Sequence, residues 1–484
     1  MQRKLIILVL AACVVGGLFF LLRDSGAPDV DDVAELARRE AASTAARDAD
    51  EKRRQTDLEY LASLGKGQEL PEYLVSRIDL EGNFWFVGKP DNVAGVQIPF
   101  KPGALPRPKD TTDAEHPNPG FLGAEACREC HQDKYDTFIH TAHHRTSRLA
   151  TPEEVSGSFE STRNRMTTSE PNVYFKMEQR GDELYQQVSF FDWQFEVPFD
   201  LIIGSSKMAE SYLYWHGDQL FQMNCTYLTE QDDWINSPGF IDGDAIYARP
   251  IRSGCLDCHV TYVDYRQAAN HYTPNSLILG ISCERCHGPG KDHVEYHQAN
   301  PDDKGSKHMA VPSKLSRQAQ MDVCGQCHTT MKAPIDQQAF RFRPGDKLSD
   351  HYEKVEGDED ATNSVHTSNQ VGRLSLSACF QQSEMGCVEC HNPHRNERDQ
   401  LQLFSDRCMK CHQQEQCGMS DELGASIAEN CIDCHMPVRA SENLQVETAA
   451  GNVFPPLRDH YIRVDPLATE EFLQSREADT EPRD

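Results

Sequence analysis

The chain has 484 residues, a formal charge of −28 and a hydrophobic share of 38%. Such acidity excludes a nucleic-acid binder held by phosphate contacts. So small an apolar share is poor material for a large core of side chains alone, although the length admits about two to four domains.

Arg3 and Lys4 precede an uncharged run from Leu5 to Leu22. Its length is near the lower limit for a membrane-spanning helix, and the leading positive charges put the N-terminus in the cytoplasm. The reading taken is a single-pass anchor over residues 1–23 in a bacterial inner membrane, with the bulk of the chain in the periplasm. Two alternatives stay open: lipoprotein processing at Cys13, because Leu10-Ala11-Ala12-Cys13 resembles a lipobox, and a cleaved signal peptide. Residues 24–118 are expected to form a stalk and linker. Asp29 to Leu64 is Ala- and charge-rich and reads as an exposed helix. A short helical piece follows Leu70, then a strand at Phe84-Trp85-Phe86-Val87, then a Pro- and Gly-rich linker from Lys89 to Gly120 with His116 on its surface.

Beyond residue 118 one pattern recurs. Cys127-Arg-Glu-Cys130-His131 is followed by Cys255…Cys258-His259, Cys283…Cys286-His287 and Cys324…Cys327-His328. Three more are crowded together: Cys387…Cys390-His391, Cys408…Cys411-His412 and Cys431…Cys434-His435. Chance predicts roughly 0.03 copies at this Cys and His content, against the seven present. Two cysteines at this spacing form thioethers to the vinyl groups of one haem, and the adjoining histidine ligates its iron. Zinc ribbons also use Cys-x-x-Cys pairs, but they do not need a histidine after every second cysteine. The expected cofactor is therefore haem c, seven copies, covalently attached, with the macrocycles replacing the missing apolar core.

After the first motif, helical spacing puts Tyr135, Phe138 and Ile139 on one face, with His140, His143 and His144 nearby. Of these His143 is favoured as a ligand to another haem. Residues 155–250 read as a β-rich insertion between the first and second sites. Val173–Glu178 and Leu184–Phe190 alternate around Gly181-Asp182, and Tyr212–Met223 repeats the pattern around His216-Gly217-Asp218. His216 is read as a structural residue of that turn. From Cys255 on, motif starts are 28, 41, 63, 21 and 23 residues apart. Segments so short leave no room for a separate fold around each haem, so neighbouring haems must lie close. Residues 466–484 form an acidic tail. Cys225, Cys379 and Cys417 lie outside the motifs, and a Cys379–Cys417 disulfide is expected from their flanking of the three clustered sites, with buried free thiols as the alternative.

Gly123-Ala-Glu-Ala-Cys127 to His131, Ser282-Cys283-Glu284-Arg285-Cys286-His287-Gly-Pro-Gly…His293, Cys387…His391-Asn-Pro-His394 and Cys431…His435-Met-Pro resemble multihaem cytochromes c built on the cytochrome c-554/c-552 domain. The likeness spans about Phe121 to Val464. The resemblance implies second axial ligands at His143, His293, His366, His394 and His460. Thirteen histidines remain beyond the seven of the motifs, and among them His144, His271 and His297 are weaker candidates for the last places, with solvated surface as the alternative for each. Distant similarity extends to the pentahaem nitrite reductases and hydroxylamine oxidoreductases. Neither activity carries over, since there is no Cys-x-x-Cys-Lys motif and the attachment sites number seven.

The expected fold is mainly α and irregular over 119–465, with haems forming the core, the antiparallel β insertion, and the N-terminal transmembrane helix. The expected function is electron transfer along closely spaced bis-histidine haems, with no catalytic residues assigned. Partners would be redox proteins or a membrane respiratory, quinol-oxidising complex. The alternative is an oxidoreductase with one open haem acting on a small nitrogen or sulfur oxyanion.

Overall fold

A computed structural model describes residues 74–78, 84–88 and, with short exceptions, 95–480. The exceptions include 355–364, 366–367 and 442–444. The expected anchor, the stalk and His366 therefore lie outside the described residues. Among the described residues no helix is long and apolar enough to cross a membrane. The chain divides into one unit of residues 1–70 and 78–83 and a second of 71–77 and 84–484, which carries all seven motifs.

The β insertion is larger than its expected limits. One antiparallel sheet runs in sequence order through Arg165–Thr167, Val173–Arg180, Glu183–Phe190 and Trp193–Pro198. Its central hairpin turns at Gly181, whose φ of 65° only glycine adopts without strain. Val173, Phe175 and Met177 alternate inward, as a strand with one buried face requires. A five-stranded sheet follows in the order Asp233–Asn236, Gln219–Leu228, Ala209–His216, Leu201–Ile203 and Ser147–Leu149. Its long hairpin turns at Gly217, as the spacing predicts. Aromatic rings pack beside both sheets: Phe195 of the first lies edge-on to Tyr247, and Phe199, in the link between the sheets, lies edge-on to Tyr212 of the second. His216 lies at the strand end beside Phe100.

Phe84–Gly88 is a strand, as expected, paired with Val96–Ile98. In the stretch after Leu70 where a helical piece is expected, the described residues Leu74–Ile78 form a strand. His116 is not a free surface residue either, because its ring stacks on Tyr265 with centres 4.5 Å apart.

The motif-bearing part departs from "mainly α". Its helices are short, among them Gln132–Phe138, Lys291–Ala299, Arg317–His328 and Leu401–Cys408. Ser316 caps the third, accepting from the Ala319 N–H. Between them run two-stranded ladders such as Val260–Tyr262 with Ile278–Leu279 and Val438–Ala440 with Pro456–Arg458. Connections this short satisfy their backbone groups more readily by pairing across than by building helical turns. The acidic tail begins as a helix, Pro466–Thr480.

Candidate cofactor-binding site

Five of the seven motifs close as a single tight turn, and the fourth ends the helix Arg317–His328. The histidine N–H donates to the carbonyl of the first cysteine at 2.9 Å in His131, 3.0 Å in His287, 2.9 Å in His391, 3.0 Å in His412 and 3.1 Å in His435. Positions i, i+3 and i+4 share one face of such a turn, so two thiols and one imidazole point the same way. The second motif closes differently: His259 N–H bonds to Leu256 instead.

The first five motifs line one continuous cavity of about 3140 Å³, together with Cys408 of the sixth. A pocket for one small ligand measures roughly 300–1,000 Å³, so this space suits several large ones. Cys411 and His412 of the sixth motif are exposed.

The imidazoles supply the sharper test of fit. Two imidazoles on opposite faces of one iron, each about 2 Å from it, have ring centres about 6.3 Å apart. His131 and His293 stand 6.4 Å apart with planes inclined 24°. His287 and His394 are 6.2 Å apart at 20°, and His391 and His460 are 6.3 Å apart at 29°. His143 and His328 are 6.0 Å apart at 69°. Each pair joins one motif histidine to one remote histidine, and the spacing is too wide for ring contact alone. The donor set therefore fits haem.

Hydrogen bonds orient these rings. The Nδ1–H of His287 donates to the Ala310 carbonyl at 2.9 Å, that of His293 to Lys307 at 2.7 Å, and that of His435 to Arg463 at 2.9 Å. A carbonyl only accepts, so Nδ1 carries the proton and Nε2 keeps its lone pair for a metal. His328 Nδ1 bonds to Gln370 Oε1 at 3.0 Å. His259 Nδ1 meets the Thr146 hydroxyl at 3.0 Å. Burial pushes His143, His259 and His460 down to about 4, which keeps them neutral, the form that ligates.

Not every candidate is brought to a motif histidine. His144 packs edge-on to Phe138 with its Nδ1 buried and unbonded, and His271 bonds to Asp218 at 3.1 Å. His297 turns its Nε2 to the Gly305 carbonyl at 2.9 Å, beside His293 rather than opposite a motif ring. Among the described residues, no imidazole faces His259, His412 or His435 at the paired spacing. Of these three, only His259 lines the cavity.

The thiols give the sites an order that the sequence does not. Cys127 is within hydrogen-bond reach of Cys283, Cys258 of Cys327, Cys324 of Cys387, and Cys408 of Cys431. Cys286 also lies near Cys324, and Cys390 near Cys408. The attachment turns thus form a row running first, third, fourth, fifth, sixth, seventh, with the second branching from the fourth. The expected Cys379–Cys417 disulfide is corrected, since both thiols are free. Cys379 lies by Cys390 and Cys408, whereas Cys417 lies by Cys434.

Residues 240–288 match the family described as cytochrome c554 and c-prime. The chain is 21% identical over 445 residues to the dissimilatory sulfite reductase MccA of Wolinella succinogenes, covering 76% of this chain. It spans 58% of that relative's length. Among solved structures, the outer cell wall cytochrome OcwA aligns over 72% of this chain and 81% of its own, at 18% identity and a TM-score of 0.46. The octahaem sulfite reductase MccA of Wolinella succinogenes aligns over 74% and 61%, at 15% identity and a TM-score of 0.36.

Proposed function

We propose that this member of the multihaem cytochrome c family holds seven haems c and serves as an exported, membrane-anchored electron carrier. The observation that carries the reading is the set of four imidazole pairs spaced 6.0–6.4 Å apart. Bound haem supplies a one-electron redox centre at each iron. The chain's own residues do the rest. Fourteen motif thiols would anchor the macrocycles, the four imidazole pairs would supply ligands to four of the irons, and His259, His412 and His435 would each ligate one of the others. Anchoring by residues 1–23 would put the module in the periplasm beside a respiratory complex, and the acidity favours a basic partner surface.

Intact-mass measurement of exported protein tests the count. Seven added haem masses support the reading, and the bare polypeptide mass would refute it.

One observation favours a second reading, an oxidoreductase. His259 lines the cavity without an opposed imidazole among the described residues, and its turn closes on Leu256 where five others close on the first cysteine. An open position there would admit a small oxyanion, and the sulfite reductase relative suggests one of sulfur. A high-spin ferric EPR signal that responds to sulfite would favour the enzyme. Low-spin signals alone would favour the carrier.

A further inference from the structure

The two residues between the cysteines of an attachment turn take no part in holding haem. In three adjoining turns one of them is buried and bonded to its counterpart in the next. Asp257 comes from the second turn, Arg285 from the third and Gln326 from the fourth. Arg285 Nη2 donates to Asp257 Oδ1 at 2.8 Å and to the Asp257 carbonyl at 2.7 Å. The two side chains are 2% and 1% exposed. Asp257 accepts two further bonds, from the Tyr352 hydroxyl at 2.5 Å and the Phe340 N–H at 2.9 Å. Gln326 Nε2 donates to the Arg285 carbonyl at 3.0 Å, tying in the fourth turn.

An ion pair this far from water adds little net stability, because desolvation of two charges offsets their attraction. Its place in the molecule is more telling. It sits inside the turns that meet where the row of thiols branches, where Cys258 reaches Cys327. Burial also leaves each charge weakly screened, so it acts strongly on anything bound close by.

We propose that the Asp257–Arg285 pair is a positioning and charge-balancing element that sets the reduction potentials at the junction of the second, third and fourth sites. The inference rests on the haem reading above. With both partners present the pair itself carries no net charge. Removing the arginine leaves a buried carboxylate, which favours oxidised iron and lowers potentials. Removing the carboxylate leaves a buried guanidinium, which favours reduced iron and raises them. A merely structural role behaves otherwise, since loosening the junction lets in water and shifts both variants the same way.

The test is spectroelectrochemical titration of holoprotein carrying Asp257→Asn, Arg285→Met or both, after haem is counted by intact mass. The same subset of midpoints should rise in D257N, fall in R285M and return towards wild type in the double variant. Shifts of one sign in both single variants, or no shift, would overturn the proposal. If either single variant fails to mature, Tyr352→Phe serves instead. It withdraws one donor from the carboxylate, so those midpoints must fall, and unchanged midpoints overturn the proposal. Wild-type protein lacking haem mass would instead refute the haem reading, so the two failures are distinct.

Discussion

The imidazoles of His143 and His328, far apart in sequence, face each other with ring centres 6.0 Å apart. His328 ends the helix Arg317–His328, while His143 lies just past the helix Gln132–Phe138. Replacing His143 with alanine should open one axial position while leaving the thioethers intact. One haem equivalent of low-spin ferric EPR signal should convert to high-spin, with haem content unchanged. Retention of every low-spin signal would show that His143 is not a ligand.

The buried pair behind His460 should matter for stability. Arg373 grips Asp459 through Nε at 2.8 Å and Nη2 at 2.7 Å, and Arg463 adds a third bond at 2.7 Å. Burial pushes the Asp459 carboxyl up, yet these arginines hold it below its usual value. Arg373→Met strands a buried carboxylate with only Arg463 and the Tyr461 N–H left, at a cost of about 2–4 kcal/mol. Arg180→Ala, which breaks exposed pairs with Glu178 and Glu196, should change stability by about 0.5 kcal/mol or less. Denaturant midpoints of the two variants make the comparison.

Asp200 should give the β insertion a pH dependence. Its Oδ2 accepts from the Trp215 N–H at 2.7 Å. Burial pushes its carboxyl up to about 6 from 3.8, against the opposing pull of that bond and Arg107. The folded chain then holds this proton more tightly than the unfolded chain does. The stability contributed is full below the unfolded value and is lost as pH rises through about 6. Asp200→Asn keeps an acceptor for Trp215 and removes the buried charge. It should stabilise by about 2 kcal/mol near pH 8 and by nothing near pH 4, as read by tryptophan fluorescence during thermal melts.

Gly280 should tolerate no side chain. Its φ is +66°, and an added Cβ would run into the His144 carbonyl. Its N–H donates to Ser147 Oγ at 2.8 Å, and its carbonyl accepts from Thr261 Oγ1 at 2.7 Å, just ahead of Cys283. Gly280→Ala should cost about 2–4 kcal/mol. Gly181→Ala, at a φ of +65° but with open space around it, should cost about 1 kcal/mol. Equal losses in the two variants would mean that the contact with His144 is unimportant.

The attachment turns were legible because their geometry is local. A pattern of i, i+3 and i+4 on one turn of backbone needs nothing from the rest of the chain, and the hairpins at Gly181 and Gly217 are local in the same sense. The short ladders in the motif region were not legible, because strands of two or three residues carry too little alternation to be seen. Nor was the tie between Asp257 and Arg285, since residues between motif cysteines look like any solvated charges until the turns are set side by side.

The sequence by itself determined which cysteines and histidines can hold haem and where the β insertion lies, since both depend on spacing along a few residues of backbone. Only the tertiary structure decided which remote histidine stands across from which motif, how the thiols line up and branch, and which charges are sealed between them. Those relations join segments linked by irregular connections, whose course is set by packing across the whole molecule rather than by any local preference of the chain.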